Sequence, residues 1–197
     1  MKTLRIIRGR ILLPVLASVL LASHPTDAAT QYAAGSITWD NALTAAWAAA
    51  SGGSYTSQWA GGNDAVFEGS AGTVTLAGVT AHNLTFNATG YTLSGAGTLT
   101  LTGTTPTISL GSGISATIGN EIAGSAGLTK IGAGSLTLNG TNNYTGMTTV
   151  GEGMLILGGS NGSISDPLTI YHRGSLTLDN TTASKTNRLG NGKAFTS

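Results

Sequence analysis

The chain has 197 residues, of which only 9% are charged, and it contains 30 glycines. Disordered chains are usually charged and poor in β-branched residues, whereas Ile, Val and Thr are abundant here, which favours short strands separated by Gly-rich turns. The absence of Cys excludes disulfides and thiolate metal sites. Because four of the nine Lys and Arg residues lie in the first ten positions, no basic patch remains to attract nucleic acid.

The N-terminus has the three-part pattern of a secretory signal peptide. A basic segment at 1–10 precedes an apolar run at 11–22, and small and polar residues follow. A transmembrane anchor is the alternative, but this apolar run is interrupted by Pro14 and is shorter than the about 20 residues that a hydrocarbon core requires. We expect cleavage after Ala28 or the next residue, so that 1–28 is the signal peptide. No other stretch is apolar enough to span a membrane as a helix.

Residues 29–64 are expected to form an N-terminal capping segment. The stretch 41–50 has the Ala content of a short helix. Packed with such a helix, Trp39, Trp47 and Trp59 would cover the open end of the β-structure that follows. A carbohydrate-stacking surface is the alternative role for the three indoles.

A five-residue pattern recurs along the rest of the chain: Gly, a Ser/Thr-like residue, an aliphatic residue, usually Thr, then Leu. Its copies begin at Gly72, Gly97, Gly134, Gly153 and Gly174. The starts are 25, 37, 19 and 21 residues apart, and the gap of 37 is close to two periods of 19. This spacing predicts a diverged copy in that gap, where Thr107–Leu110 and Ala116–Ile118 have strand character.

Each copy alternates apolar and polar residues, as in a strand whose successive side chains point to opposite faces. The intervening Thr should face outward, and the aliphatic positions should be buried: Val74, Leu76, Leu99, Leu101, Leu136, Leu138, Leu155, Leu157, Leu176 and Leu178. A period near 20 residues with two or three short strands is typical of one rung of a parallel β-helix. We therefore predict an all-β fold, a right-handed parallel β-helix (β-solenoid) over 65–197, rather than an antiparallel sandwich.

Stacking also explains the low charge. Equivalent residues of adjacent rungs lie directly above one another at about 4.8 Å. Two like charges about 5 Å apart repel by roughly 1 kcal/mol in bulk water and by several-fold more near a protein surface. Thr, Ser and Asn carry polarity without this repulsion.

The stretch 128–157, LTKIGAGSLTLNGTNNYTGMTTVGEGMLIL, resembles the autotransporter-associated β-strand repeat of bacterial passenger regions. The upstream chain is similar to the entry segment of that family at Trp39-Asp40, Gly62–Phe67, Asn83–Phe86 and Tyr91–Leu93. The resemblance covers about residues 36–190. It implies a passenger-like protein that is exported and is secreted or held at the bacterial cell surface, outside the outer membrane.

The chain departs from this family at its C-terminus. Autotransporters end in a membrane β-barrel of many alternating strands with aromatic girdles, whereas this sequence has three Phe and five Tyr and stops within what resembles another repeat. We therefore expect a solenoid that is truncated, or released rather than self-anchored. Residues 190–197 offer no cap, so the open edge of the last rung predicts edge-to-edge self-association.

Two patterns suggest catalysis or metal binding but have simpler interpretations. The stretch Gly158–Gly162 matches the G-x-S-x-G nucleophile elbow, which requires a strand before it and a helix after it; here a turn is expected. His82 and His172 are four or five rungs apart, about 20 Å at 4.8 Å per rung, so they cannot share a metal ion whose bonds to His are about 2 Å.

The acids and the sequons also indicate no site. Asp64 and Glu68 are too isolated to be assigned as a glycosidase pair. The Asn-x-Ser/Thr sequons at Asn83 and Asn143 arise from composition. We therefore predict no catalytic, cofactor-binding or metal-binding residue.

Two functions remain. The first is a non-catalytic structural passenger or adhesin-like segment of an exported surface protein, with an unknown surface or carbohydrate ligand and no nucleic acid partner. The alternative is a secreted carbohydrate-active β-helix enzyme. Carboxylates or basic residues clustered on one solenoid face would favour the enzyme, and a smooth Thr/Asn/Gly surface favours the structural segment.

Overall fold

A computed structural model describes residues 28–41, 43–164 and 167–190. The predicted signal peptide lies outside these residues, apart from Ala28. All regular structure in the described ranges is β. The strands are β1 (Thr30–Ala34), β2 (Ile37–Trp39), β3 (Ala45–Trp47), β4 (Ser57–Gln58), β5 (Asp64–Glu68), β6 (Thr73–Leu76), β7 (Val79–Ala81), β8 (Leu84–Phe86), β9 (Tyr91–Ser94), β10 (Leu99–Leu101), β11 (Thr107–Leu110), β12 (Ser115–Ile118), β13 (Ile122–Ala123), β14 (Leu128–Ile131), β15 (Ser135–Leu138), β16 (Thr148–Leu157) and β17 (Leu168–Leu178).

Consecutive strands wind around three faces. Strands β1, β5, β8, β11 and β14 stack on the first face, β2, β6, β9, β12 and β15 on the second, and β7, β10 and β13 on the third. The long strands β16 and β17 pass through both the first and the second face, because Thr148–Val150 pairs with β14 and Met154–Leu157 pairs with β15. All of these pairings are parallel, which confirms the parallel β-solenoid and excludes the antiparallel sandwich. The solenoid makes about five turns.

The strand register explains the gap of 37 residues in the sequence pattern. On the second face Thr73 pairs with Thr92, Thr92 with Thr117, and Thr117 with Thr137. The diverged copy predicted in the gap is therefore real and is β12. The copy Gly97–Leu101 is different, because β10 stacks between β7 and β13 on the third face. Alternation alone cannot distinguish two faces that both point aliphatic side chains inward.

The core is a stack of aliphatic side chains. Of the residues predicted to be buried, those from Val74 to Leu157 are at most 2% exposed, as expected. The prediction was wrong for the last pair, since Leu176 is only half-buried and Leu178 is 45% exposed. Among the described strands β17 pairs only with β16, so its inward side chains have a stacked neighbour on one side.

The helix predicted at 41–50 is wrong. Strand β3 within this stretch pairs with β4 in an antiparallel hairpin, and Ala48 exchanges backbone hydrogen bonds of 2.8 and 2.9 Å with Tyr32 of β1. Helix propensity amounts to less than about 1 kcal/mol per residue. Extended pairing outweighs it here because it places Trp47 in the core.

Candidate functional site

The three tryptophans form a closed aromatic cluster beneath the hairpin. The ring centroids of Trp39 and Trp47 are 5.1 Å apart, those of Trp47 and Trp59 are 4.5 Å apart, and those of Trp39 and Phe67 are 5.5 Å apart. The indoles are at most 1% exposed. Their faces are therefore unavailable to a sugar ring, and the carbohydrate-stacking alternative fails at these residues.

A shallow groove runs beside this cluster on the third face. Its lining consists of Asn41, Gln58, Trp59, Ala60, Gly61 and Thr80. The Trp59 indole N–H donates to the backbone carbonyl of Thr80 at 3.0 Å, which fixes the wall of the groove. Since the lining contains amides and a hydroxyl but no acid or imidazole, the groove can offer hydrogen bonds but no general acid or base.

Asp64 and His82 form a pair that the sequence analysis treated as two separate residues. Nδ1 of His82 lies 3.0 Å from Oδ1 of Asp64, which also accepts from the backbone N–H and side-chain amide of Asn83. The signal for this pair is their separation of 18 residues, close to one rung. The two side chains therefore lie side by side on adjacent rungs.

The pair resembles the acid and base of a catalytic triad, in which a nucleophile hydrogen-bonds the second ring nitrogen. Gly103 lies beside that nitrogen instead. A Cβ at Gly103 would lie 2.7 Å from Nε2 of His82. Among the described residues no Ser or Thr hydroxyl donates to this ring, and the contact between His82 and Asp64 joins two adjacent rungs.

Glu68 is a fixed carboxylate that holds the loop after the hairpin strand β3. It accepts hydrogen bonds from the Ser51 hydroxyl, from the backbone N–H of Gly52 at 2.6 Å and from the Tyr55 hydroxyl at 3.2 Å. Burial raises the pKa of Glu68, but these three hydrogen bonds outweigh it and hold the pKa below its usual value. A glycosidase acid requires the opposite, a raised pKa.

Asp64 and Glu68 also have the wrong separation for a glycosidase pair. They lie four residues apart on the single strand β5, a distance of about 13 Å. Paired catalytic carboxylates are about 5 to 9.5 Å apart. This geometry excludes Asp64 and Glu68 as a pair of glycosidase carboxylates.

The described residues contain no group of three or more His, Cys, Asp or Glu side chains that could hold a metal ion. His82 lies two residues before β8, and His172 lies on β17. Strands β11, β14 and β16 stack between these two levels, which agrees with the predicted separation of the two imidazoles.

The stretch Gly158–Gly162 is a turn, as predicted, and Arg188 fills it. The backbone N–H of Gly162 donates to the carbonyl of Gly158 at 3.0 Å. The Arg188 guanidinium donates to the carbonyls of Gly158, Gly162 and Gly159 at 2.8 to 3.0 Å. The Arg188 side chain also donates to Asp179 and Asn180 and is 2% exposed. Ser160 therefore lies on a structural turn, and the elbow interpretation fails.

Lys130 is a second buried cation that the sequence analysis did not single out. It is fully buried, and its ammonium donates to the carbonyls of Ile131 at 3.1 Å, of Glu152 at 3.0 Å and of Gly132. Burial lowers its pKa to about 8, although the nearby Glu152 carboxylate favours the charged form. The signal was its position in β14, where alternation with Leu128 places Lys130 on the inward side.

The second face presents a column of hydroxyls. Thr73, Thr92, Thr117 and Thr137 are aligned by the parallel register of β6, β9, β12 and β15. These strands carry no Asp, Glu, Lys or Arg. An uncharged, regular surface of this kind can make hydrogen bonds and methyl contacts whose strength does not depend on salt.

Comparison with known proteins gives one match. A family model described as Passenger-associated-transport-repeat matches residues 128–157, which span β14 to the end of β16 and include Lys130 with its three acceptors. No curated protein and no solved structure matches the chain. Within the described ranges no helix has the length and apolarity needed to cross a membrane. The match to this repeat and the parallel β-solenoid together fit an autotransporter passenger-like repeat protein.

Proposed function

We propose that the chain is a non-catalytic structural passenger segment of an exported bacterial surface protein, adhesin-like in presenting one uncharged face. In this proposal residues 1–28 are a signal peptide, the segment 29–64 supplies strands β1 and β2 of the first rung and the β3–β4 hairpin that covers it, and the solenoid continues from residue 65. The observation that carries it is the Thr73–Thr137 hydroxyl column on a face without charged residues.

The chemistry of the ionisable groups supports the same proposal. Glu68, Lys130 and Arg188 each make several hydrogen bonds, and at least one of these joins the residue to another turn or loop. Such groups stabilise the stack, whereas a catalytic acid or base must reach a substrate. The enzyme alternative has no observation in its favour among the described residues.

Export is tested in a Gram-negative host that expresses the full chain. We expect the N-terminal leader to be removed and the product to be outside the cytoplasm. Leu13→Arg places a charge in the apolar run and should cause retention of the uncleaved chain, while Lys2→Arg keeps the basic segment and should be exported normally. Export of the Leu13→Arg variant to the same extent would overturn this part of the proposal.

Binding and catalysis are tested separately on the purified chain. It is incubated with insoluble polysaccharides at low and high salt, and both bound protein and released reducing sugar are measured. We expect salt-independent binding that is reduced by Thr117→Lys in the hydroxyl column, and no release of sugar. Sugar release would overturn the non-catalytic assignment, and the absence of all binding would overturn the adhesin-like role.

A further inference from the structure

The groove beside the tryptophan cluster lies where the third face begins. Strand β7 is the first strand of the three-stranded sheet on this face, and Thr100 of β10 stacks directly above Thr80 of β7. On the other side of β7 the described chain supplies the loop 59–62 and no strand. The loop leaves an open groove with a volume of about 640 Å³. This volume lies within the range of about 300 to 1,000 Å³ that is typical of small-molecule sites.

Hydrogen bonds to the segment 78–80 hold the lining of the groove in place. The Thr80 carbonyl accepts from the Trp59 indole N–H at 3.0 Å and from the backbone N–H of Gly62 at 2.8 Å. The Asn41 side-chain amide donates to the carbonyl of Gly78 at 2.9 Å. Because these groups are already fixed, a ligand can bind without the entropic cost of ordering them.

The polar side chains of the lining have hydrogen-bonding capacity that the described part of the chain does not use. Asn41 uses its amide nitrogen for the contact with Gly78, and its Oδ1 accepts from no described residue. The Oε1 of Gln58 is equally free among the described residues, and its amide nitrogen makes only a long contact of 3.4 Å with the Leu43 carbonyl. The Thr80 hydroxyl also contacts no described partner. Amides and hydroxyls both donate and accept hydrogen bonds, as the hydroxyls of a sugar do.

The chemistry of the lining favours a neutral sugar over other ligands. The lining residues include no Lys or Arg, which a nucleic acid needs for its phosphates. An extended peptide would need free backbone acceptors at the edge of β7, but both lone pairs of the Thr80 carbonyl are used by Trp59 and Gly62. A neutral sugar requires neither a charged partner nor a free strand edge.

We propose that this groove binds a short neutral oligosaccharide through the side-chain amides of Asn41 and Gln58 and the hydroxyl of Thr80. The proposal rests on the adhesin-like function proposed above and adds a second site to it, because the hydroxyl column lies on the second face and the groove on the third. Trp59 supports the wall of the groove and does not stack on the sugar, since its side chain is only 1% exposed.

Nuclear magnetic resonance locates the site. The isotope-labelled chain is titrated with the neutral sugars maltotriose, cellotriose and triacetylchitotriose, and with trigalacturonic acid as the charged control. We expect at least one neutral sugar to shift the signals of the Trp59 indole N–H and of Gly61, at low and at high salt, and not the signal of Thr117 in the hydroxyl column. The absence of a response at the groove to all neutral sugars, or an equal response to trigalacturonic acid, would overturn the proposal.

A matched pair of substitutions tests the hydrogen bonds. Thr80→Val removes the hydroxyl and keeps the shape of the side chain, and it should weaken sugar binding about two- to tenfold. Thr100→Val makes the same change one rung above, outside the groove, and should leave the dissociation constant unchanged. Equal dissociation constants for the two variants would contradict a contact with Thr80.

A side chain at position 61 would fill the groove. A Cβ at Gly61 would lie 3.6 Å from Oδ1 of Asn41 and 3.8 Å from Cβ of Thr80, so it enters the space between two lining residues without a clash. Gly111 is the matched control, because a Cβ there meets only Ile114, at 3.8 Å. Neither glycine has a positive φ, so neither position imposes backbone strain on a leucine.

Gly61→Leu should therefore abolish binding of the soluble sugar, while Gly111→Leu should bind it as the wild type does. Thr117→Lys, which alters the hydroxyl column, should also bind the soluble sugar normally but lose the insoluble polysaccharide. Wild-type affinity in Gly61→Leu would overturn the groove site and leave the role of the hydroxyl column standing. Loss of the soluble sugar in Thr117→Lys would assign both ligands to the column and would overturn the separate site.

Discussion

The ammonium of Lys130 lies 3.0 Å from the backbone carbonyl oxygen of Glu152, in the corner of the next rung. Lys130 also donates to the carbonyls of Ile131 and Gly132 in its own corner. One buried cation thus joins two successive corners of the solenoid, inside the segment that matches the passenger-associated transport repeat.

This contact predicts a specific dependence of stability on pH. Burial lowers the pKa of Lys130 from 10.5 to about 8, so the unfolded state binds more protons between these two values. Stability contributed by this group should therefore rise as the pH increases from about 8 to 10.5 and be level below pH 8.

Urea unfolding at several pH values checks this, with Lys130→Met as the control. The difference between the midpoints of the wild type and of Lys130→Met should shift in favour of the wild type as the pH rises from 8 to 10.5. The titration of the tyrosines affects the wild type and the Lys130→Met variant equally, so its contribution cancels in the difference between the midpoints. A difference that does not change with pH would contradict the lowered pKa.

The inward and outward faces of β15 should respond differently to one substitution. Leu136→Asp buries a carboxylate between Ala116 and Leu155, which should lower the free energy of unfolding by several kcal/mol. Thr137→Asp places the charge on the outward face, where changes are usually within about 0.5 kcal/mol. Denaturant midpoints measure both, and equal losses would show that the two faces are misassigned.

Gly103 should tolerate a side chain much less well than Gly113. Both have positive φ, 84° and 76°, so alanine causes similar backbone strain at each. A Cβ at Gly113 meets no atom within 4 Å, whereas at Gly103 it meets the His82 ring at 2.5 Å. We expect Gly103→Ala to cost about 1 to 3 kcal/mol more than Gly113→Ala.

A double substitution tests whether the His82 ring causes this additional loss of stability. Since the clash is with the imidazole, His82→Ala combined with Gly103→Ala should recover most of this additional loss. Thermal or urea unfolding of the wild type, the two single variants and the double variant gives the coupling free energy between positions 82 and 103. Simple additivity of the two substitutions would mean that the His82 ring is not the obstacle.

Arg188 should protect the turn at Gly158–Gly162 from local opening. Arg188→Met removes the donor to three glycine carbonyls, and each hydrogen bond to a charged group contributes about 1.5 to 3 kcal/mol. We expect rapid proteolysis at this turn while the earlier rungs stay folded. Arg173→Met, at an exposed arginine, should leave the cleavage pattern of the turn unchanged.

The repeated alternation was sufficient to predict the fold and the inward residues from Val74 to Leu157. Each rung presents the same local pattern, and burial selects the same side each time. The pattern could not assign the Gly97–Leu101 copy to its face, because Leu99 and Leu101 point inward there just as Leu136 and Leu138 do on the second face.

The hydrogen-bond partners of the buried cations could not be derived from local patterns. The acceptors of Lys130 and Arg188 are backbone carbonyls that the rung register brings together, up to 30 residues away in the chain. Likewise, the Ala-rich stretch before Trp47 is extended because tertiary pairing with Tyr32 outweighs its small helix propensity. Any prediction from composition alone lacks these long-range partners.

The aromatic cluster provides an optical signal that shows from which end the solenoid unfolds. All three tryptophans of the sequence lie in that cluster, at the first end of the solenoid. Because the stability of a stacked repeat is approximately a sum of terms between nearest neighbours, its two ends can melt independently. Indole fluorescence therefore follows only the first rung, while circular dichroism follows every strand. The offset between the two melting curves identifies the end from which the solenoid unravels.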